Sequence, residues 1–175
     1  EAINAHPDDV VVTTGSQQAL DLVSRLFLDP GDTIVAEAPS YVGALGVFSA
    51  YQANVVHTPM DADGLIPEAL DEVLTGLAAQ GIKPKFIYTV PNFHNPGGVT
   101  LSLERRPQVI EVARRHKVLI LEDNPYGLLG FDGEPLPALA SMAPDDVVYL
   151  GSFSKTFAPG YRIGWALAPH AVRDK

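Results

Sequence analysis

The feature that most constrains this chain is a repeated alternation of short apolar runs with segments of helical spacing. Val10-Val-Val-Thr13, Thr33-Ile-Val-Ala-Glu-Ala38, Asn54-Val-Val-His-Thr58 and Lys85-Phe-Ile-Tyr-Thr-Val90 read as strands. So do Val118-Leu-Ile-Leu-Glu-Asp123, Asp146-Val-Val-Tyr-Leu150 and Arg162-Ile-Gly-Trp-Ala-Leu-Ala168. Helices are predicted over about 17–28, 42–51, 67–79 and 102–116. In the first of them Ala19, Leu20, Val23, Leu26 and Phe27 share one face. Continuously apolar strands between helices imply a parallel sheet covered on both faces. The gap between the last two strands is too short for a crossover helix, so one of them should run antiparallel. The expected fold is therefore α/β, a three-layer αβα sandwich with a seven-stranded, mostly parallel sheet and one antiparallel strand.

Punctuation supports these boundaries. Asp29-Pro-Gly-Asp32 is a turn, as is Asp61-Ala-Asp-Gly64, and Pro67 suits a first helical turn. Ser102 is expected to cap its helix, with Glu104 in the first turn. The stretch from 124 to 145 reads as irregular. With 175 residues the chain can bury one sizeable core. It begins at Glu1 rather than Met and stops at Lys175 as a helix begins, so a fragment of a longer protein is expected.

Composition excludes several functions. A net charge of −9 without a Lys/Arg patch argues against a nucleic-acid partner for this domain. No apolar run approaches a membrane span of ~20 residues, so no membrane partner is expected. Without cysteine there is no disulfide framework or thiolate metal site, and a reducing, cytoplasmic location is expected. The five histidines show no metal spacing and read as structural or exposed. No supporting motif for Ser-His-Asp acyl transfer is present.

The chemistry-bearing residues fall where strands end, which in open α/β sheets is where ligands bind. In Gly151-Ser-Phe-Ser-Lys-Thr-Phe-Ala-Pro-Gly-Tyr-Arg-Ile-Gly-Trp165, Lys155 stands among small, hydroxylated and aromatic residues. Burial there would strip its ammonium of solvation and leave an amine able to form a Schiff base with an aldehyde such as pyridoxal phosphate. An ordinary lysine on a surface turn fits the same residues. Ser152 and Ser154 offer hydroxyls, and Arg162 a guanidinium fork for a phosphate. Thr14-Gly-Ser-Gln17 opens a helix, either as an anion site or as a plain turn and cap. Asp123 could pair with a protonated ring nitrogen or cap a turn. Glu122 alternates to the opposite face and reads as structural. Asn95 could meet a phenolic oxygen or a carboxylate, or serve the turn alone. Tyr126 could donate to the same oxygen, and Tyr41 could stack on an aromatic ring; core packing is the alternative for both.

Taken in order, Thr14-Gly-Ser-Gln-Gln-Ala-Leu20, Ala38-Pro-Ser-Tyr41, Pro91-Asn-Phe-His-Asn-Pro-Gly97, Glu122-Asp-Asn-Pro-Tyr126 and Gly151-Ser-Phe-Ser-Lys155 through Arg162-Ile-Gly164 resemble the fold-type I, class I/II aminotransferases. The wording is nearest the 2-aminoadipate and broad-specificity branch. The resemblance implies pyridoxal 5'-phosphate as cofactor and α-amino acids and 2-oxo acids as substrates. It implies that Lys155 carries the Schiff base and shuttles the proton. By the same resemblance Asp123 would hold the ring nitrogen, Asn95 and Tyr126 the phenolic oxygen, and Tyr41 the ring face. Ser16, Gln17, Ser152 and Arg162 would bind the phosphate, with Ser154 a weaker candidate. It also implies that residues 1–175 are a nearly complete large domain. A small domain and an N-terminal segment would lie outside the chain, and the intact protein would be a homodimer. Two alternatives share the pattern: a cofactor-sensing domain of a winged-helix transcription regulator, and a carbon–sulfur lyase using the same cofactor.

Overall fold

The computed structural model describes residues 3–130 and 133–174, so Glu1, Ala2, Phe131, Asp132 and Lys175 of the expected domain lie outside the described residues. The chain runs β1 (Val10–Thr13), α1 (Ser16–Phe27), β2 (Thr33–Ala38), α2 (Val42–Ala50), β3 (Asn54–Asp61), β4 (Gly64–Leu65), α3 (Pro67–Ala79) and β5 (Phe86–Thr89). It continues with α4 (Arg105–His116), β6 (Leu119–Asp123), α5 (Leu139–Met142), β7 (Val147–Ser152), β8 (Gly164–Leu167) and α6 (His170–Arg173).

The strands form one sheet in the order β1-β8-β7-β6-β5-β2-β3-β4. Neighbouring pairs from β7 through β3 are parallel. The expected antiparallel strand is β8, which lies between β7 and β1 and opposes both; β4 is a second, antiparallel to β3. The sheet holds one strand more than the seven expected. The addition is β4, a two-residue partner that folds back on Met60 and Asp61 through the turn after β3. Two residues leave no alternation to read, which is why the sequence concealed it.

Strand alternation divides the core into two layers. On one face Ile34, Phe86, Tyr88, Leu121 and Leu150 pack against Ala19, Leu20 and Val23 of α1 and Phe48 of α2. On the other, Val35, Ile87, Ile120 and Tyr149 meet Leu70 and Leu74 of α3, Val109 and Ala113 of α4 and Leu139 of α5. The three-layer sandwich follows directly. Each fully buried large apolar side chain contributes roughly 1.5–3 kcal/mol to that packing.

Two local expectations fail for identifiable reasons. The Ser102 side chain does not cap α4. Its backbone carbonyl accepts instead from the Arg105 and Arg106 amides at 3.2 and 3.3 Å, and Glu104 occupies the N-cap. The stretch read as irregular contains α5, too short to show a helical period. Its start is fixed by Glu122, whose carboxylate accepts from the Leu139 and Ala140 amides at 3.1 and 2.9 Å. Glu122 is fully buried on the face opposite Asp123, as alternation required. Among the described residues, no helix is long and apolar enough to cross a membrane.

Candidate active site

The carboxyl ends of β2, β5, β6 and β7 and the start of α1 converge on a pocket of about 110 Å³. The chain turns outward in opposite directions from β2 and β5, which is where a doubly wound sheet opens a crevice. From the sequence-predicted set, Ser16, Tyr41, Asn95, Asp123, Tyr126, Ser152, Ser154 and Lys155 line it, joined by Val90 and Pro125. A roomier cleft of about 380 Å³ lies at the opposite ends of the strands, between 81–84 and 116–118, and none of the predicted residues reaches it.

Asp123 is the most informative group. It ends β6 and is 5% exposed. Its Oδ2 accepts a 2.8 Å hydrogen bond from the Tyr88 hydroxyl, whereas its buried Oδ1 has no hydrogen-bond partner. Burial raises its pKa to about 6, and the Tyr88 hydrogen bond opposes that rise. A buried, half-satisfied carboxylate at a pocket wall is costly unless a donor or cation meets it there.

The anion end is built from both halves of the chain. α1 starts at Gly15, with φ 75°, no side-chain cap and no acidic residue in its first turn. Its free amides and dipole favour an anion. Arg162 has a left-handed backbone (φ 52°) and lays its guanidinium on Gly15. Its nitrogens lie 3.4 Å from Ser154 Oγ and 3.5 Å from the Thr14 carbonyl. A Cβ on Gly164 would sit 2.4 Å from the Gly15 carbonyl carbon, so the two glycines let β8 and the α1 start touch. Ser152 is buried, and its Oγ accepts from the Ser154 amide at 3.0 Å.

Gln17 and Arg162 do not line the pocket. The Gln17 amide points away and donates to the Gly43 carbonyl at 3.2 Å, because an exposed side chain on the first turn reaches the neighbouring helix. For Lys155 the sequence left burial and a surface turn open; it is exposed. It stands at the pocket mouth, on a turn whose Phe157 and Tyr161 are 77% and 65% exposed. Its Nζ lies 6.0 Å from the centroid of the Tyr126 ring. The Tyr41 ring packs over Gly43, where a Cβ would approach it to 2.4 Å. Burial beside Asp123 and Tyr126 raises the Tyr41 pKa.

A carboxylate, an amine, several hydroxyls, an anion cradle and aromatic rings thus face one small space. Comparison with known proteins gives the family. The family model for aminotransferase class I and II matches residues 1–175. The chain belongs to this family. It is 47% identical over 167 residues to aromatic-amino-acid aminotransferase 1 of Thermococcus litoralis, covering 94% of this chain and 40% of that protein. It is similar to the crystal structure of α-aminoadipate aminotransferase from Thermus thermophilus, complexed with N-(5'-phosphopyridoxyl)-L-leucine. The TM-score is 0.90 at 38% identity, covering 97% of this chain and 44% of that one. It is also 35% identical over 177 residues to the uncharacterized HTH-type transcriptional regulator YisV of Bacillus subtilis, covering 99% of this chain and 35% of that protein. The chain therefore spans well under half the length of these relatives.

This class I/II aminotransferase chain also contains site residues that motif reading passes over. Tyr88 reads only as part of a strand, yet it holds Asp123. Asn92 and Asn124 join the Pro91 and Asp123 loops through a 2.9 Å hydrogen bond, and Arg106 donates to Asn92 Oδ1 at 2.7 Å. His94 is 2% exposed and structural. It accepts from the Gly97 amide at Nδ1, which places its proton on Nε2, 3.1 Å from Glu37 Oε2 in a bent approach.

Asp123 gives a pH-dependent prediction. Its folded pKa of about 6 exceeds the ordinary 3.8. Its contribution to stability is therefore fully present below pH ~3.8 and is lost as pH rises through about 6. In protein stripped of cofactor, the full loss should be about 3 kcal/mol, of which about 2 kcal/mol falls between pH 4.5 and 7.5. Asp123→Asn should remove that dependence. Urea denaturation of both proteins at pH 4.5 and 7.5 checks it, and parallel behaviour of the two would contradict it.

Proposed function

We propose that residues 1–175 are the cofactor-binding large domain of an aminotransferase. It would move an amino group between an α-amino acid of the 2-aminoadipate, aromatic or branched-chain type and a 2-oxo acid such as 2-oxoglutarate. The observation that carries this is the unpartnered Asp123 Oδ1 in the same pocket as Lys155. The residues suit pyridoxal 5'-phosphate at every edge. Asp123 would take the pyridine N–H, Asn95 and Tyr126 the phenolic oxygen, and Tyr41 the ring face. Ser16, Ser152, Arg162 and secondarily Ser154 would hold the phosphate at the α1 N-terminus, with Gln17 acting through its backbone. Lys155 would hold the aldehyde carbon and move the proton at the substrate Cα. When bound, the cofactor supplies an electron sink for that proton's removal.

The relatives' greater length supports a further small domain and N-terminal segment in the intact protein. Phe157 and Tyr161, stacked at 5.6 Å and exposed beside Lys155, support a homodimer whose partner covers the pocket mouth. A cytoplasmic location completes this reading. The test is a screen of amino donors against 2-oxoglutarate with the full-length protein. Glutamate formation with 2-aminoadipate, aromatic or branched-chain donors is the expected result. Pyruvate release from cystathionine without a 2-oxo acid would indicate a lyase instead.

The similarity to YisV favours one second reading, a cofactor-sensing domain of a transcription regulator. A basic helix-turn-helix encoded upstream of Glu1, with no glutamate formed from any donor, would establish it.

A further inference from the structure

Asp123 Oδ1 has no hydrogen-bond partner, whereas Oδ2 is occupied. β5 and β6 run parallel with Tyr88 opposite Leu121, so Tyr88 and Asp123 project from the same face as diagonal neighbours. That diagonal separation is within reach of an aromatic side chain, and the Tyr88 hydroxyl donates to Asp123 Oδ2 at 2.8 Å. Tyr88 itself does not line the pocket. It is fully buried, and its ring is fixed edge-on by Phe48 at a centroid distance of 5.4 Å and an interplanar angle of 75°.

The geometry points to Tyr88 as a positioning residue. By claiming Oδ2 from behind the pocket, it fixes the rotation of the Asp123 carboxylate and aims Oδ1 at the ring nitrogen of the cofactor. This inference rests on the reading that the pocket takes pyridoxal phosphate. A buried carboxylate left to itself favours its neutral form, and a hydrogen bond from a neutral hydroxyl favours the anion. Burial and the neighbouring Asp123 raise the Tyr88 pKa well above its ordinary value, so the hydroxyl keeps its proton and remains a donor. Tyr88 thus orients Asp123 and also keeps it charged against the burial that works in the other direction. Phe48 braces the Tyr88 ring from the helical layer and is itself packed against Phe86 of β5 at 5.6 Å.

The test uses Tyr88→Phe in the full-length protein, which removes one oxygen and leaves the ring in place. Dissociation constants are measured by fluorescence for pyridoxal phosphate and for its analogue with carbon replacing the pyridine nitrogen. Hydrogen bonds to charged groups predict a loss of about tenfold or more for pyridoxal phosphate in the variant. The analogue offers Asp123 no N–H, so its binding should be nearly the same in variant and wild type. Phe48→Leu serves as a packing control: it loosens the same layer without touching Asp123, and should weaken both ligands to a similar extent. Equal weakening of both ligands by Tyr88→Phe would show packing alone and overturn the inference. So would unchanged binding of pyridoxal phosphate. Failure of the wild-type protein to bind pyridoxal phosphate would instead overturn the underlying reading, a result distinguishable from the other two.

Discussion

Replacing Lys155 by alanine in the full-length protein is expected to lower transamination by about 10³-fold or more, because among the described residues no other lysine lines the pocket. Lys155 is the one lysine among the pocket-lining residues. Its position at the mouth, rather than deep in the wall, suits a group that must reach both a bound ring and an incoming substrate. Lys155→Arg is the sharper control. It keeps the positive charge but offers a guanidinium, which is not a nucleophile at neutral pH. Both variants should therefore lose activity to a similar extent. Initial rates at saturating pyridoxal phosphate and 2-oxoglutarate check this. Activity of the arginine variant near wild type would reduce Lys155 to an electrostatic role and remove the covalent point from the proposed mechanism.

Arg106→Met is expected to destabilise the fold by about 3 kcal/mol or more. Arg106 is fully buried at the start of α4. It donates to the Leu101 carbonyl at 3.1 and 3.2 Å, to the Pro137 carbonyl at 2.9 Å and to Asn92 Oδ1 at 2.7 Å. Methionine fills much of the same volume but donates nothing, so those oxygens lose a donor in a place water does not reach. A midpoint decrease of roughly 6–12 °C should follow for a chain of this size. Through Asn92 the same guanidinium braces the loops that carry Asn95 and Tyr126. Thermal unfolding measures the first effect. A midpoint within a degree of wild type would mean that the loops hold themselves.

The contrast between Lys155 and Arg106 shows what the sequence makes legible. Lys155, Asp123 and Asn95 stand in short motifs at strand ends, where residue type and neighbours already suggest a chemistry. Arg106 sits in a polar helix beginning, Arg105-Arg-Pro-Gln108, where a solvated charge is the ordinary expectation, and nothing local reveals that it points inward. Tyr88 is hidden differently. Its role depends on which residue of β6 lies opposite, and register between strands separated by a helix is not written in either strand. The sheet itself is legible because continuous apolar runs admit few alternatives, whereas β4 and α5 are too short to carry a period. The exposure of Lys155 escapes the sequence because burial at a pocket mouth depends on what covers it.

The placement of β8 between β7 and β1 has a consequence for the order in which a ribosome delivers the chain. Among the described residues β1 pairs with β8 alone, through Val10 to Leu167 and Thr13 to Gly164. At synthesis rates of about 5–20 residues per second, the first strand therefore waits roughly 8–30 s for its partner to emerge. Until then Ser16 and the anion-binding start of α1 are tethered beside a sheet that cannot yet receive them. Ser152, Arg162 and Ser16, the residues proposed to hold a phosphate, come together only when β8 slots in. A nascent chain can thus present Asp123 early, but the proposed phosphate cradle forms only when the sheet is nearly complete.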